Sequence, residues 1–185
     1  KFWHKNCVAL GLAQGFLEPL EATSILLTDF AASFLANRFP KQATEMEALE
    51  KRFNQVMQYA WERVIDFVKL HYLLSDRSDS QFWLDNQKVQ TIPESLQEKL
   101  AIWKGAQPLR DDFFSKFEVF DLENYLYVLY GMNFNSPSAP TSESDLARVK
   151  ATENKMSEIK QQLASNLPKH RELIEKIHKY GLQKT

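Results

Sequence analysis

The chain has 185 residues, 23 basic and 24 acidic side chains, a formal net charge of −1 and a hydrophobic fraction of 44%. This is enough apolar material for one ordinary globular core, and it argues against a broadly disordered chain. The balanced charge argues against a nucleic-acid binder, which needs a basic excess to neutralise phosphates, and the single Cys7 precludes an internal disulfide or a cysteine-paired metal site.

One cysteine suits a reducing cytoplasm, and no apolar run is long enough to span a bilayer, so a cytoplasmic protein without membrane or nucleic-acid partners is expected. The chain opens Lys1-Phe2-Trp3, with neither an initiator Met nor a signal-peptide layout, and residues resembling an interior strand follow almost at once. A chain cut at its N-terminal side is the expectation. Cys7 to Leu12 is a short apolar run ended by Gly11 and Gly15, which predicts a buried strand entering a tight loop.

After Glu18-Pro19, residues Leu27, Phe30, Ala31, Phe34 and Leu35 recur at spacings of three and four, predicting a helix that stops near Phe39 because Pro40 follows. Met46 to Leu74 carries a longer stripe at helical period, from Leu49 and Phe53 to Phe67 and Tyr72. A polar connection, Ser75 to Asp79, leads to the pair Phe82-Trp83. Pro93 opens a further helix through Trp103, with Gly105 just past its end. Phe113 to Met132 is aromatic-rich and predicted to be part irregular, part helical, its rings serving first as core. Asn133 to Glu143, rich in Ser, Pro and Asn, reads as a linker. Beyond it, Leu146, Val149, Met156, Ile159 and Leu163 mark an amphipathic helix ending near Leu167-Pro168, and a last helix runs to about Tyr180 with Gly181 as its C′ residue. The fold class expected is mainly α.

Two carboxylates, Glu18 and Glu21, bracket a proline just before the first helix. Acidic residues there ordinarily complement the positive end of the helix dipole. The same terminus offers the unpaired amides of Thr23 and Ser24 as an anion site, able to hold a halide without side-chain charge. A small anion beside the Glu21 carboxylate needs a positive group to offset both, expected from outside this segment.

The stretch Asn6 to Ile25 (NCVALGLAQGFLEPLEATSI) resembles the signature of flavin-dependent halogenases of the tryptophan-halogenase type. Asp66-Phe67, His71-Tyr72, Arg77, Asp79 and Phe82-Trp83 are similar to a second pattern of that family. The resemblance implies the C-terminal helical part of such an enzyme. Residues 1–22 would be a strand-and-loop remnant of the FAD-binding domain, 23–132 a substrate-side helical region, 133–143 a linker and 144–185 a helical hairpin. It further implies reduced FAD, oxygen and chloride or bromide as reactants, a separate flavin reductase, and hypohalous acid as the oxidant. A lysine and a glutamate then deliver electrophilic halogen to an aromatic carbon. Glu21 matches the glutamate, Thr23 and Ser24 the halide-binding amides, Leu12 and Ile25 positions lining the flavin, and Phe120 a ring facing substrate. The glycine-rich dinucleotide fold and the lysine belong to an N-terminal part outside this chain, so the chain alone is expected to be inactive.

Tryptophan-specific members carry Ser where this chain has Ala22 and Gly where it has Ser24. They have Trp at Asp121, Glu at Lys116 and a tyrosine pair at Leu109 and Arg110. A lysine at position 116 would repel the ammonium of free tryptophan, so a different electron-rich aromatic, an indole, a phenol or a modified peptide side chain, is expected. A flavin monooxygenase on the same scaffold and a non-enzymatic helical interaction module are the alternatives. The module reading expects no exposed apolar docking surface. His71, near Asp66 and Arg77, is expected to be a structural histidine pinning a helix end, and His170 and His178 to be surface residues.

Overall fold

The computed structural model describes residues 1–137 and 142–182 and falls into two compact units, residues 1–137 and the described part of 138–185. In the first unit a two-stranded antiparallel hairpin, β1 (Trp3–His4) and β2 (Cys7–Val8), pairs Trp3 with Val8 and His4 with Cys7. Asn54 pins it, its Oδ1 accepting from the Phe2 and Trp3 amides at 2.7 and 2.9 Å and its Nδ2 donating to the Trp3 carbonyl at 2.8 Å, while Glu50 Oε2 accepts the Lys5 amide of the turn at 3.1 Å. A buried strand over Cys7 to Leu12 does not form. Cys7 is exposed, the ladder ends at Val8, and Gly11, at φ +57°, turns the backbone out of the extended region into a 3₁₀ turn over Gly11–Ala13.

Five helices complete this unit: α1 (Thr23–Arg38), α2 (Met46–Leu74), α3 (Gln81–Asn86), α4 (Glu94–Gly105) and α5 (Leu122–Gly131). Helix α2 is the spine, burying Phe53, Met57, Ala60, Val64, Phe67 and Leu70 along one stripe. Leu27 and Ala31 of α1, Leu96, Leu100 and Trp103 of α4, and Tyr125 and Leu129 of α5 close the same core. Helix α1 stops at Arg38 as the Pro40 argument requires, and α2 has the expected bounds. Pro93 caps α4 from outside its first turn, and Gly105 is the helix's last residue, not the one beyond.

Of the expected linker, residues 138–141 lie outside the described residues, and Phe134 is packed: its amide bonds the Leu129 carbonyl at 2.8 Å and its ring lies against the core. The second unit consists of α6 (Glu143–Asn166) and α7 (His170–Tyr180). Ser142 caps α6 by accepting the Asp145 amide at 3.1 Å, a local stop-start signal independent of packing. Gly181, at φ +73°, follows α7, and His170 and His178 are exposed. No described residue of α6 or α7 is buried.

Candidate active site

The loop between β2 and α1 is held on α2 by contacts along its length. Gly15 lies so close to Trp61 that a Cβ there would sit 3.0 Å from two ring atoms, while the Trp61 indole N–H donates to Gln14 Oε1 at 3.2 Å. Further on, the Glu18 carboxylate stands beside the Tyr72 hydroxyl, whose pKa is raised first by burial and then by that carboxylate. Glu21 follows, its Oε1 3.7 Å from His71 Nε2, with its side chain 40% exposed.

Ala22 then takes the left-handed conformation, φ +53° and ψ +25°, and α1 begins at Thr23 with no side-chain cap. A residue with a Cβ pays on the order of 1 kcal/mol for that conformation, and such outliers gather at functional sites. Thr23 is buried, Ser24 is partly exposed, and its carbonyl accepts the Thr28 hydroxyl at 2.7 Å. With no acidic residue in its first turn, the helix start keeps its positive end free of side-chain charge.

Beside that start opens a cleft of about 490 Å³ lined by Gly11, Leu12, Gly15, Ser24, Ile25 and Trp61, among others. Leu12 and Ile25 are 77% and 79% exposed, large apolar side chains left bare on one wall. A planar heteroaromatic ring fits such a wall. The structure thus brings Leu12, Ser24 and Ile25 together on one cleft, sets Glu21 against His71, and leaves bare the kind of apolar surface that an independent interaction module was expected to lack.

Phe120 is elsewhere. The ring expected to face substrate is 7% exposed and stacks on Phe67 at 3.9 Å and 24° between planes, because α2 and the segment leading into α5 enclose it on the core side. Asp121 accepts the Asn124 amide and caps α5, and Arg110 pairs with Glu123, so both have structural partners. Lys116 lines a smaller pocket of about 180 Å³ with Leu26, Phe30 and Phe117.

His71, Asp66 and Arg77 do not form one cluster. Asp66, buried, pairs with Arg63 at 3.1 Å and accepts the Ser95 hydroxyl at 2.9 and 2.7 Å. Burial pushes its carboxyl above the ordinary range, against the lowering effect of Ser95 and Arg63. Arg77 pairs with Asp79 and lies over the Trp83 ring. His71 alone reaches the site, and its i+5 spacing from Asp66 carries no sign of that. Among the described residues no group of His, Cys, Asp and Glu could hold a metal ion, and no helix is long and apolar enough to cross a membrane.

The sequence profile of the tryptophan halogenase family matches residues 1–165. A tryptophan halogenase from Shewanella frigidimarina, of known structure, is 37% identical with a TM-score of 0.83, covering 100% of this chain and 35% of its own. A flavin-dependent halogenase from Brevundimonas is 31% identical with a TM-score of 0.77, covering 94% of this chain and 35% of its own. A tryptophan 6-halogenase of Streptomyces toxytricini is 33% identical over 129 residues, 70% of this chain and 24% of that protein. The chain therefore spans 24–35% of the length of these relatives. A mainly α chain, an uncapped helix start beside Glu21 and a family match over nearly the whole sequence agree: this chain belongs to the flavin-dependent tryptophan halogenase family.

Proposed function

We propose that the protein carrying this chain is a flavin-dependent halogenase acting on an electron-rich aromatic substrate of indole or phenol type, as a small molecule or a peptide side chain. It uses reduced FAD renewed by a separate reductase, oxygen, and chloride or bromide. The observation that carries this reading is the start of α1: without a side-chain cap, beside Glu21, and opening on an apolar cleft. Leu12 and Ile25 would hold one face of the flavin ring; the reduced flavin, when bound, would supply two of the four electrons that reduce oxygen, the halide giving the other two as it becomes hypohalous acid.

In this reading the Thr23 and Ser24 amides hold the halide, favoured by the positive end of α1 and by the low polarity of the adjoining wall. The Glu21 carboxylate orients the electrophilic halogen with a lysine from outside this chain, and takes the proton lost from the aromatic carbon. Lys116, in the pocket with Phe30 and Phe117, disfavours the ammonium of a free amino acid. The chain by itself is expected to be inactive, since the lysine that works with Glu21 is expected from outside it.

The test is Glu21→Gln in the full-length protein, assayed for bromination of indole with bromide, FAD and a reducing system. Removing a positioned proton acceptor should lower kcat by roughly 100-fold or more while flavin binding stays within about twofold. Turnover that persists in Glu21→Gln would remove Glu21 from the mechanism. Hydroxylated product formed without any halide would replace halogenation by a monooxygenase reaction.

A further inference from the structure

Beyond the halide and flavin groups, the geometry points to Tyr59 as the positioning residue that sets which charge a substrate can carry: we infer that its hydroxyl, by donating to Glu118, keeps that carboxylate engaged on α2 and leaves Lys116 to select the substrate. The inference rests on the reading of Lys116 above, that its pocket faces the substrate.

The pocket of about 180 Å³ is lined by two opposite charges, Lys116 and Glu118, with Leu26, Leu27, Phe30 and Phe117 among its apolar walls. A lysine there repels an ammonium, but a free carboxylate beside it would attract one and cancel the discrimination. Which of the two a substrate meets depends on what already holds them. Lys116 is exposed, whereas Glu118 is half-buried and its Oε1 accepts the Tyr59 hydroxyl at 2.5 Å. Burial, and after it the Glu118 carboxylate, raise the Tyr59 pKa, so the phenol keeps its proton for that bond at neutral pH.

The donor is on a fixed element and the acceptor is not. Tyr59 stands within α2, with the Arg63 guanidinium 4.8 Å from its ring centre. Glu118 belongs to residues 113–121, which form no helix or strand. Rings seat that segment: Phe113 lies 5.0 Å from Tyr125, Phe117 6.0 Å from Phe30, and Phe120 stacks on Phe67. Its amides at Phe117 and Glu118 bond internally, to the Ser115 hydroxyl and carbonyl. Ring contacts decide where the segment lies but do not aim a carboxylate; a directional hydrogen bond does. Without the Tyr59 hydroxyl, the half-buried Glu118 would turn to a cation, either Lys116 or an ammonium on the substrate. Either pairing ends the discrimination.

The test uses the full-length protein and two indoles, tryptophol and tryptamine, alike except that a hydroxyl replaces the ammonium. The ratio of kcat/KM for tryptophol bromination to that for tryptamine measures charge selection. It should be about tenfold or more in wild type and near one in Lys116→Gln. Tyr59→Phe deletes the donor and keeps the ring. It should lower the ratio at least about threefold, through a lower KM for tryptamine, with the melting temperature within about 4 °C of wild type. Glu118→Gln keeps an acceptor for the hydroxyl and carries no charge, so its ratio should match or exceed that of wild type. Adding Tyr59→Phe to Glu118→Gln should then no longer lower the ratio. A Tyr59→Phe ratio within threefold of wild type overturns the inference, as does a Glu118→Gln ratio well below wild type. An equal fall on adding Tyr59→Phe to Glu118→Gln also overturns it, because the segment would merely have loosened. If wild type prefers tryptophol and Lys116→Gln removes that preference while Tyr59→Phe leaves it, this inference alone falls. If wild type brominates neither indole, or both alike, the reading of the substrate falls and this inference with it.

Discussion

Replacing Phe120 by Ala separates a packed ring from a substrate-binding one. In the structure Phe120 is 7% exposed and stacked on Phe67 at 3.9 Å, and Phe67 in turn meets Tyr125 at 4.9 Å and His71 at 4.8 Å. Phe→Ala in such a site removes the transfer energy of the ring and leaves a cavity, about 3–5 kcal/mol together. Of this, about 1 kcal/mol belongs to the aromatic pair itself. Phe120→Leu keeps most of the volume and should cost only about 1–1.5 kcal/mol. The assay is thermal and urea unfolding of the full-length protein, with steady-state kinetics on the folded enzyme. The midpoints should fall in the order wild type, Leu, Ala, while KM for the aromatic substrate stays within about twofold. An Ala variant that unfolds with wild-type midpoints but shows a tenfold higher KM would refute the packing assignment and return Phe120 to the substrate.

Two further outcomes follow from neighbouring groups. Asp66 has a folded-state pKa raised above its ordinary value by burial, so its ionised form subtracts stability at pH above that raised value, and the penalty is relieved as pH falls through it. Ser95→Ala removes the hydroxyl that offsets the penalty, costing about 1.5–3 kcal/mol at neutral pH; the cost should shrink on acidification, and a pH-independent difference in melting temperature would contradict this. Gly15→Ala should push Trp61 aside, costing about 1–3 kcal/mol and weakening flavin binding through the cleft wall they share; unchanged melting and flavin affinity would show that the loop yields freely.

Spacing in the sequence was sufficient for the longer helices, whereas the short α3 around Phe82-Trp83 carries no such period. The apolar stripe from Leu49 to Tyr72 defines α2, because every third or fourth residue must be apolar for a helix to bury one face, and Pro40 ends α1 by local sterics. The signature Asn6–Ile25 likewise made the family legible from consecutive residues, and the profile match bears that out. The apolar run from Cys7 misled, since a strand needs partners to bury it and β1 is its only partner among the described residues, while Gly11 turns the chain away.

What tertiary structure alone decided are the encounters between distant positions. Glu21 and His71 lie fifty positions apart, and no periodicity links a loop carboxylate to one face of α2. Phe120 has the same composition signal whether it faces a pocket or Phe67, and only the packing of α2 against the segment before α5 puts it inside. Local sequence sets backbone conformation and which faces are apolar, because those depend on near neighbours along the chain. Which group a side chain finally meets depends on how those faces close on one another, and it is there that this chain's site is made.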